Sequence, residues 1–351
     1  MLDKTLDFSI PKKIDILILD DEISNLNFKN CSQKIIKKNK INIFCLFKTL
    51  LLYCFVKNIE FKKFYKLNLY RMYSPTIAIS HDINQRGEEC KKLCPEIIVI
   101  IYQFSYFHNY TNKKKKISNN NLDYYLIWNK NDKSFAKNIS ENKIIITGSI
   151  QNNSIILKKR KKIHKIILIS EFSPVLTPIN KIWRSYFKKS LRIVDNFCTK
   201  KKINLCIALR SKRKDKTMNS NEEKEFYKKF LKCNHYFNDD YKNSFEACAA
   251  SNLIICFHST LGHQLLSRKF KVFFLSLHES FMKKTNNLDK RDNFHIHRKN
   301  NKKEIFKKIL NLLKMSDREW NKKINRAKYL SEFDSNNQKL NKLVREILNK
   351  K

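Results

Sequence analysis

The stretch Ser251–Leu266 (SNLIICFHSTLGHQLL) carries residue types suited to holding a phosphate. An apolar run ends at Phe257, His258, Ser259 and Thr260 form a turn, and Leu261–Leu266 has the pattern of a helix start. Hydroxyls and the first N–H groups of a helix point at whatever lies before it, and the helix dipole favours negative charge there. The same residues also suit a simple cap, with Ser259 or Thr260 accepting from first-turn N–H groups. Residue types alone permit both readings. Gly262, inside this turn, is one of only 3 glycines, the others being Gly87 and Gly148. Gly148 and Ser149 lie in TGSIQNN, again just past an apolar run. Glycine at such a position allows positive φ or a close approach of backbone to ligand. Neither turn forms a GxGxxG fingerprint, so a dinucleotide site is not indicated.

Arg210 follows the apolar run Ile203–Leu209, where a guanidinium at a strand's carboxyl end could hold an anion or belong to a solvated basic loop. Lys212 and Arg213, next along, read as a solvated basic loop. Candidate general bases lie in the first half of the chain. Asp82 is the first choice and His81 the second, since either could take a hydroxyl proton. Asp20, Asp21 and Glu22 read as helix-capping residues before Ile23. His295-x-His297, Cys90-x3-Cys94 and the pair His258 and His263 lack further ligands at a workable spacing, so no metal site and no other cofactor are expected.

These residues need elements to position them, and short apolar runs supply the pattern. Asp15–Asp20, Ile41–Phe47, Thr76–Ser80, Ile97–Tyr102, Tyr124–Trp128 and Lys143–Thr147 are almost continuously apolar. That is the mark of strands buried on both faces of a parallel sheet. The basic run Leu157–Lys165 (LKKRKKIHK) reads as a linker, after which Ile166–Ser170, Ile203–Leu209, Leu253–Phe257 and Lys271–Leu275 form a second series. Helical patterns lie between, including Glu222–Leu231 and Tyr241–Ala250, and amphipathic helix dominates from Lys302 onward. The expected fold class is α/β, with two doubly wound Rossmann-like domains facing a cleft. The expected bounds are 1–156 for the first, 163–335 for the second, and 336–351 for a closing helix that packs back on the first.

At 351 residues, with 42% hydrophobic and 12% aromatic content, the chain can fill two cores. Lys and Arg number 73 against 32 acids, a formal net charge of +41. The excess suits a polyanionic partner, but Lys is spread over the whole chain as a Lys-, Asn- and Ile-rich composition would spread it. No RNA-recognition signature, zinc finger or basic heptad helix accompanies it, so specific nucleic-acid binding is not expected. The 10 cysteines form no CxxC pair and several sit in apolar runs, which fits a reduced, cytoplasmic location. Met1–Ile10 has no signal-peptide pattern. Phe44–Val56 is too short for a membrane span and reads as a buried strand running into a helix.

Asn243–Leu275 resembles the donor segment of a family of bacterial surface-carbohydrate biosynthesis proteins, GT-B-like glycosyltransferases of lipopolysaccharide and capsule gene clusters. Thr76–Arg86 (TIAISHDINQR) is similar to the family's strand followed by an Asp–Asn pair. Thr147–Asn153 (TGSIQNN) and Ile169–Phe172 (ISEF) match in family order. The resemblance implies a sugar transferase with a nucleotide-sugar donor held by Arg210, Ser259, Thr260, Leu261, Gly262, Gln264, Gly148 and Ser149. It implies a saccharide or lipid-linked acceptor, with peripheral contact to anionic lipid at the inner face of the bacterial inner membrane. Gln264 stands where the family has a ribose-binding Glu, and the segment after Tyr102 lacks the family's Gln-Asn-Gly-like turn. Alternatives of the same fold are a polyol-phosphate transferase, a sugar-nucleotide epimerase, or an inactive relative.

Overall fold

The computed structural model describes residues 5–23, 26–37, 40–56, 59–82, 86–105, 122–136, 143–157, 161–173, 178–210, 220–277, 291–327 and 330–350. The described residues form two compact units. Unit 1 takes those up to 105, those of 122–155 and those of 332–350, and unit 2 takes those of 156–331.

Unit 1 holds a six-stranded sheet of β2 (Ile16–Ile18), β3 (Gln33–Ile35), β5 (Ile77–His81), β6 (Ile98–Tyr102), β7 (Tyr124–Ile127) and β8 (Ile144–Ile146), in the order β3-β2-β5-β6-β7-β8. Every pairing is parallel. A small parallel pair, β1 (Thr5–Asp7) with β4 (Lys40–Asn42), stands apart from it. Side chains alternate across a strand, so one run of apolar residues feeds two cores. Leu17, Leu19, Ala78, Val99 and Ile101 pack on one face with Leu69, Tyr70 and Tyr73 of helix α2 (Phe61–Tyr73) and Cys90 of α3 (Arg86–Leu93). Ile16, Ile18, Ile77, Ile79 and Ile100 pack on the other with Ile150 of α4 (Ile150–Asn153) and the last helix, whose Leu340, Leu343, Val344 and Ile347 are buried there.

One element departs from the expected strand series. Only Lys40–Asn42 of the Ile41–Phe47 region and its margin is strand, and helix α1 (Ile43–Tyr53) begins at once. The Asn42 side chain accepts from the Cys45 N–H at 3.0 Å, which starts the helix inside the apolar run. Nor is Phe44–Val56 buried: Phe44, Phe47, Leu50, Leu51, Leu52 and Phe55 are exposed.

Unit 2 holds β9 (His164–Ile169), β10 (Leu205–Ala208), β11 (His235–Phe237), β12 (Ser251–Cys256), β13 (Val272–Leu275) and β14 (Ile296–His297), in the order β11-β10-β9-β12-β13-β14, all parallel. Both faces are covered, by α5 (Pro178–Lys200), α6 (Ser220–Phe230), α7 (Ser244–Ala249), α8 (Thr260–Ser267), α9 (Lys302–Lys314) and α10 (Asp317–Ile324), around one core. Asn301 caps α9, and Ser316 with Glu319 forms a capping box on α10. Helix α11 (Gln338–Asn349) closes the chain within unit 1. Read in chain order, unit 2 has the dinucleotide-fold order 3-2-1-4-5-6, with its strand order reversing between β9 and β12. Unit 1 reverses between β2 and β5. Ligands of such sheets bind past the carboxyl ends of the strands at that reversal.

Candidate functional site

A cavity of about 510 Å³ opens at the carboxyl ends of β9, β10 and β12 in unit 2. That volume falls within the range of small-molecule sites. Four residues marked out by the sequence line it together: Arg210, Ser259, Thr260 and Leu261. Each arrives by a short step from a buried strand. Arg210 lies two residues past the end of β10, and Ser259 is the N-cap of α8, three residues past β12.

Ser259 does what a cap does: its Oγ accepts from the Leu261 N–H at 3.2 Å. Capping and anion binding are compatible here. A hydroxyl that accepts through a lone pair keeps its own proton to donate, and that proton can serve a phosphate oxygen. The Arg210 backbone N–H donates to the buried Glu223 at 2.9 Å, and its guanidinium reaches the Phe172 carbonyl at 3.5 Å. That last contact is long, so it holds the head group of the exposed Arg210 only lightly.

Two further residues complete the site, and sequence reasoning missed both. Glu171 follows β9, and its Oε1 accepts from the N–H groups of Phe257 at 2.8 Å and His258 at 2.7 Å. It pins the β12–α8 turn to the end of β9. Burial pushes its carboxyl up to about 7, although those N–H groups and Arg210 pull the other way. Glu171 lay in plain view in the ISEF run, as an acid placed directly after an apolar strand. Arg184 comes from α5, with its guanidinium 5.9 Å from the Phe172 ring and 6.0 Å from the Phe226 ring. Its buried Nε has no hydrogen-bond partner among the described residues. No local pattern marks a residue brought in from the second turn of a long helix.

Gly262 does not line the cavity. A Cβ there would lie 2.5 Å from Cys256 Sγ and 3.1 Å from Phe274 Cε1, so the glycine lets α8 seat on the sheet. The close approach expected toward a ligand is instead an approach of helix to strand. Gln264, one half-turn on, is fully buried on α8 and also lies off the cavity wall.

Gly148 and Ser149 belong to unit 1 and are not among the residues that line the cavity. Gly148 has φ +72°, and a Cβ would fall 2.0 Å from the Glu332 carbonyl oxygen. Its close approach is to the chain's own backbone, where Gly148 bridges Phe333. Ser149 caps α4, accepting from the Asn152 N–H at 3.3 Å.

His81 and Asp82 sit at the reversal point of unit 1. Asp82 accepts from the Phe104 N–H at 3.2 Å through Oδ1 and from the Tyr125 hydroxyl at 3.1 Å through Oδ2. The His81 N–H donates to Asp20 Oδ2 at 2.5 Å, and His81 Nε2 lies 3.6 Å from Asp20 Oδ1. Asp20, read as a capping residue, therefore partners His81. Lys212 and Arg213 lie outside the described residues. Among the described residues no group of three His, Cys, Asp or Glu could hold a metal ion, and no helix is long and apolar enough to cross a membrane.

Two Rossmann-like units with parallel sheets define a GT-B-like α/β protein, and solved structures of that fold align over nearly the whole chain. An S. aureus MnaA–UDP co-structure matches at TM-score 0.59 with 10% identity, covering 96% of this chain and 97% of that one. The UDP-GlcNAc 2-epimerase of Neisseria meningitidis bound to UDP-GlcNAc matches at 0.56 with 11% identity, covering 96% and 99%. The wall teichoic acid polymerase TagF matches at 0.52 with 11% identity, covering 96% and 89%. No curated protein sequence matches the chain. A family model described as "putative O-antigen biosynthesis protein" matches residues 103–348, more than half of the chain, and the chain belongs to that family.

Proposed function

We propose that this protein is a glycosyltransferase that takes a sugar from a nucleoside diphosphate donor and passes it to a saccharide or lipid-linked acceptor in surface-polysaccharide assembly. The observation that carries this reading is the convergence of Arg210, Arg184 and the capped turn Ser259–Thr260 on one cavity at the reversal point of unit 2. When the sugar–oxygen bond breaks, the diphosphate keeps the electron pair and gains charge. Two guanidinium groups, a hydroxyl and the positive end of α8 are the groups that stabilise it without a metal. Family membership in O-antigen biosynthesis supports the carbohydrate context. Asp82 is the proposed base for the acceptor hydroxyl, with His81 as its alternative, because both lie at the strand ends of the other unit's reversal point.

A thermal-shift and calorimetric panel of UDP, GDP and CDP against the matching nucleosides tests the donor site. One diphosphate should bind at least tenfold more tightly than its nucleoside, since charge-assisted contacts to the phosphates contribute about 1.5–3 kcal/mol each. A panel without any diphosphate binding would remove the reading. A sugar-nucleotide epimerase of this fold is the second reading. It is favoured by Glu171, whose carboxyl, raised to about 7, could exchange a proton near neutral pH. Solvent deuterium entering a nucleotide sugar with no acceptor present would select it over transfer.

A further inference from the structure

Helix α1 is inside out. It turns Cys45 and Thr49 into the protein, both fully buried, and leaves Phe44, Phe47, Leu50 and Leu51 outside. Phe44, Phe47 and Leu51 share one face by helical spacing, and Phe55 follows just beyond the helix end. Phe47 is 63% exposed and Phe55 84%. The patch continues onto a second segment. Asp7 of β1 pairs with Asn42 of β4, and the Asn42 side chain donates to the Ser9 carbonyl at 2.7 Å. That anchors Phe8 and Ile10, both exposed, beside the start of α1. A monomer in water rarely keeps so many large apolar side chains together on its surface.

Outside ion pairs, the described charges around the patch have one sign. Lys12, Lys13, Lys40 and Lys48 are exposed on the same segments. The acids nearby are already engaged, Asp7 with Lys34 at 3.3 Å and Glu60 with Lys63 at 3.6 Å. We propose that this face of unit 1 docks on an anionic bilayer, with the Phe and Leu side chains entering the headgroup boundary while the lysines meet lipid phosphates. An apolar helix face rimmed by lysine is the arrangement of helices that lie in a membrane interface. A second copy of the chain would bring a like formal charge of +41 against the first, which opposes self-association through this face. The placement fits a lipid-linked acceptor but stands without the donor-site reading, since none of its residues touches the cavity of unit 2.

Co-sedimentation of the full chain with phosphatidylcholine vesicles, with and without phosphatidylglycerol, tests it. The wild type should bind the anionic vesicles, and the double variant Phe47→Glu, Leu51→Glu should bind them at least about tenfold more weakly. Both positions are exposed, so the variant should keep the wild-type melting temperature and nucleotide binding. An environment-sensitive dye on the exposed Cys54, in a Cys31→Ser background, should shift to the blue on binding, because the other described cysteines are buried. Purely electrostatic attachment through lysines elsewhere would leave the dye in water and overturn the proposal. Undiminished binding by the double variant would overturn it too, as would a wild-type dimer that the variant converts to monomer.

Discussion

The two sheets present their reversal points differently. In unit 1 the described polar groups at the strand ends hold one another: Asp20 takes the His81 N–H, and Asp82 takes the Tyr125 hydroxyl and the Phe104 N–H. In unit 2 a comparable edge surrounds a cavity, whose wall includes the Arg210 guanidinium, 3.5 Å from the Phe172 carbonyl, and Arg184, whose buried Nε has no hydrogen-bond partner among the described residues. Among the described residues, each unit also has a carboxyl raised to about 7. Burial raises Asp132 in unit 1 to about 7, against hydrogen bonds from Gln103 and Asn129, and raises Glu171 in unit 2 to about 7. The lesson is that parallel topology supplies a place for chemistry, while the side chains arriving from neighbouring elements decide whether that place is filled by the protein or left for a ligand.

The two glycine turns sharpen this contrast most. Gly148→Ala should cost unit 1 about 3 kcal/mol, because a left-handed residue and a backbone obstacle combine. Urea denaturation would show it, and an unchanged midpoint would mean the turn is not held by Glu332. Gly262→Ala should cost unit 2 about 2 kcal/mol by overpacking. Adding Cys256→Ala should return part of that loss, since the nearest obstacle is the Cys256 sulfur. If Gly262→Ala instead weakened nucleotide binding at unchanged stability, the glycine would face ligand after all.

Next in size is Arg210→Ala, expected to weaken diphosphate binding about tenfold, or about 1.4 kcal/mol, while nucleoside binding holds. Equal losses for both ligands would place Arg210 outside the anion site. The smallest effect separates the two raised carboxyls. Glu171 is raised above its ordinary value, so it is neutral below about pH 7 and becomes an anion above it. Diphosphate affinity should then fall several-fold between about pH 6 and pH 8, an effect that Glu171→Gln should flatten. Asp132 is raised in the same direction, so its contribution is present at low pH and lost as pH rises through about 7. Its titration should appear in the stability of unit 1, with Asp132→Asn removing that dependence, and leave nucleotide binding untouched.

Much of this architecture was legible along the chain. Continuous runs such as Thr76–Ser80, Ile97–Tyr102 and Leu253–Phe257 gave strands buried on both faces, because a strand covered on two sides cannot alternate. The turn Ser259–Thr260 and the position of Arg210 followed from where those strands stop. The run Ile41–Phe47 misled, because a short apolar stretch has no period to tell strand from helix, and a single cap at Asn42 settled it. Glycine scarcity marked Gly148 and Gly262 as constrained but could not say by what. Their neighbours, Glu332 in one case and Cys256 with Phe274 in the other, are fixed only when distant segments pack. Arg184 and Glu171 became site residues in the same way, one carried in by α5 and the other by its bonds to a turn 86 residues away. Sequence determines what a segment can become through its own periodicity and caps. The tertiary structure alone decided which side chains face the cavity, because that depends on contacts between segments whose order in the chain carries no record of their distance in space.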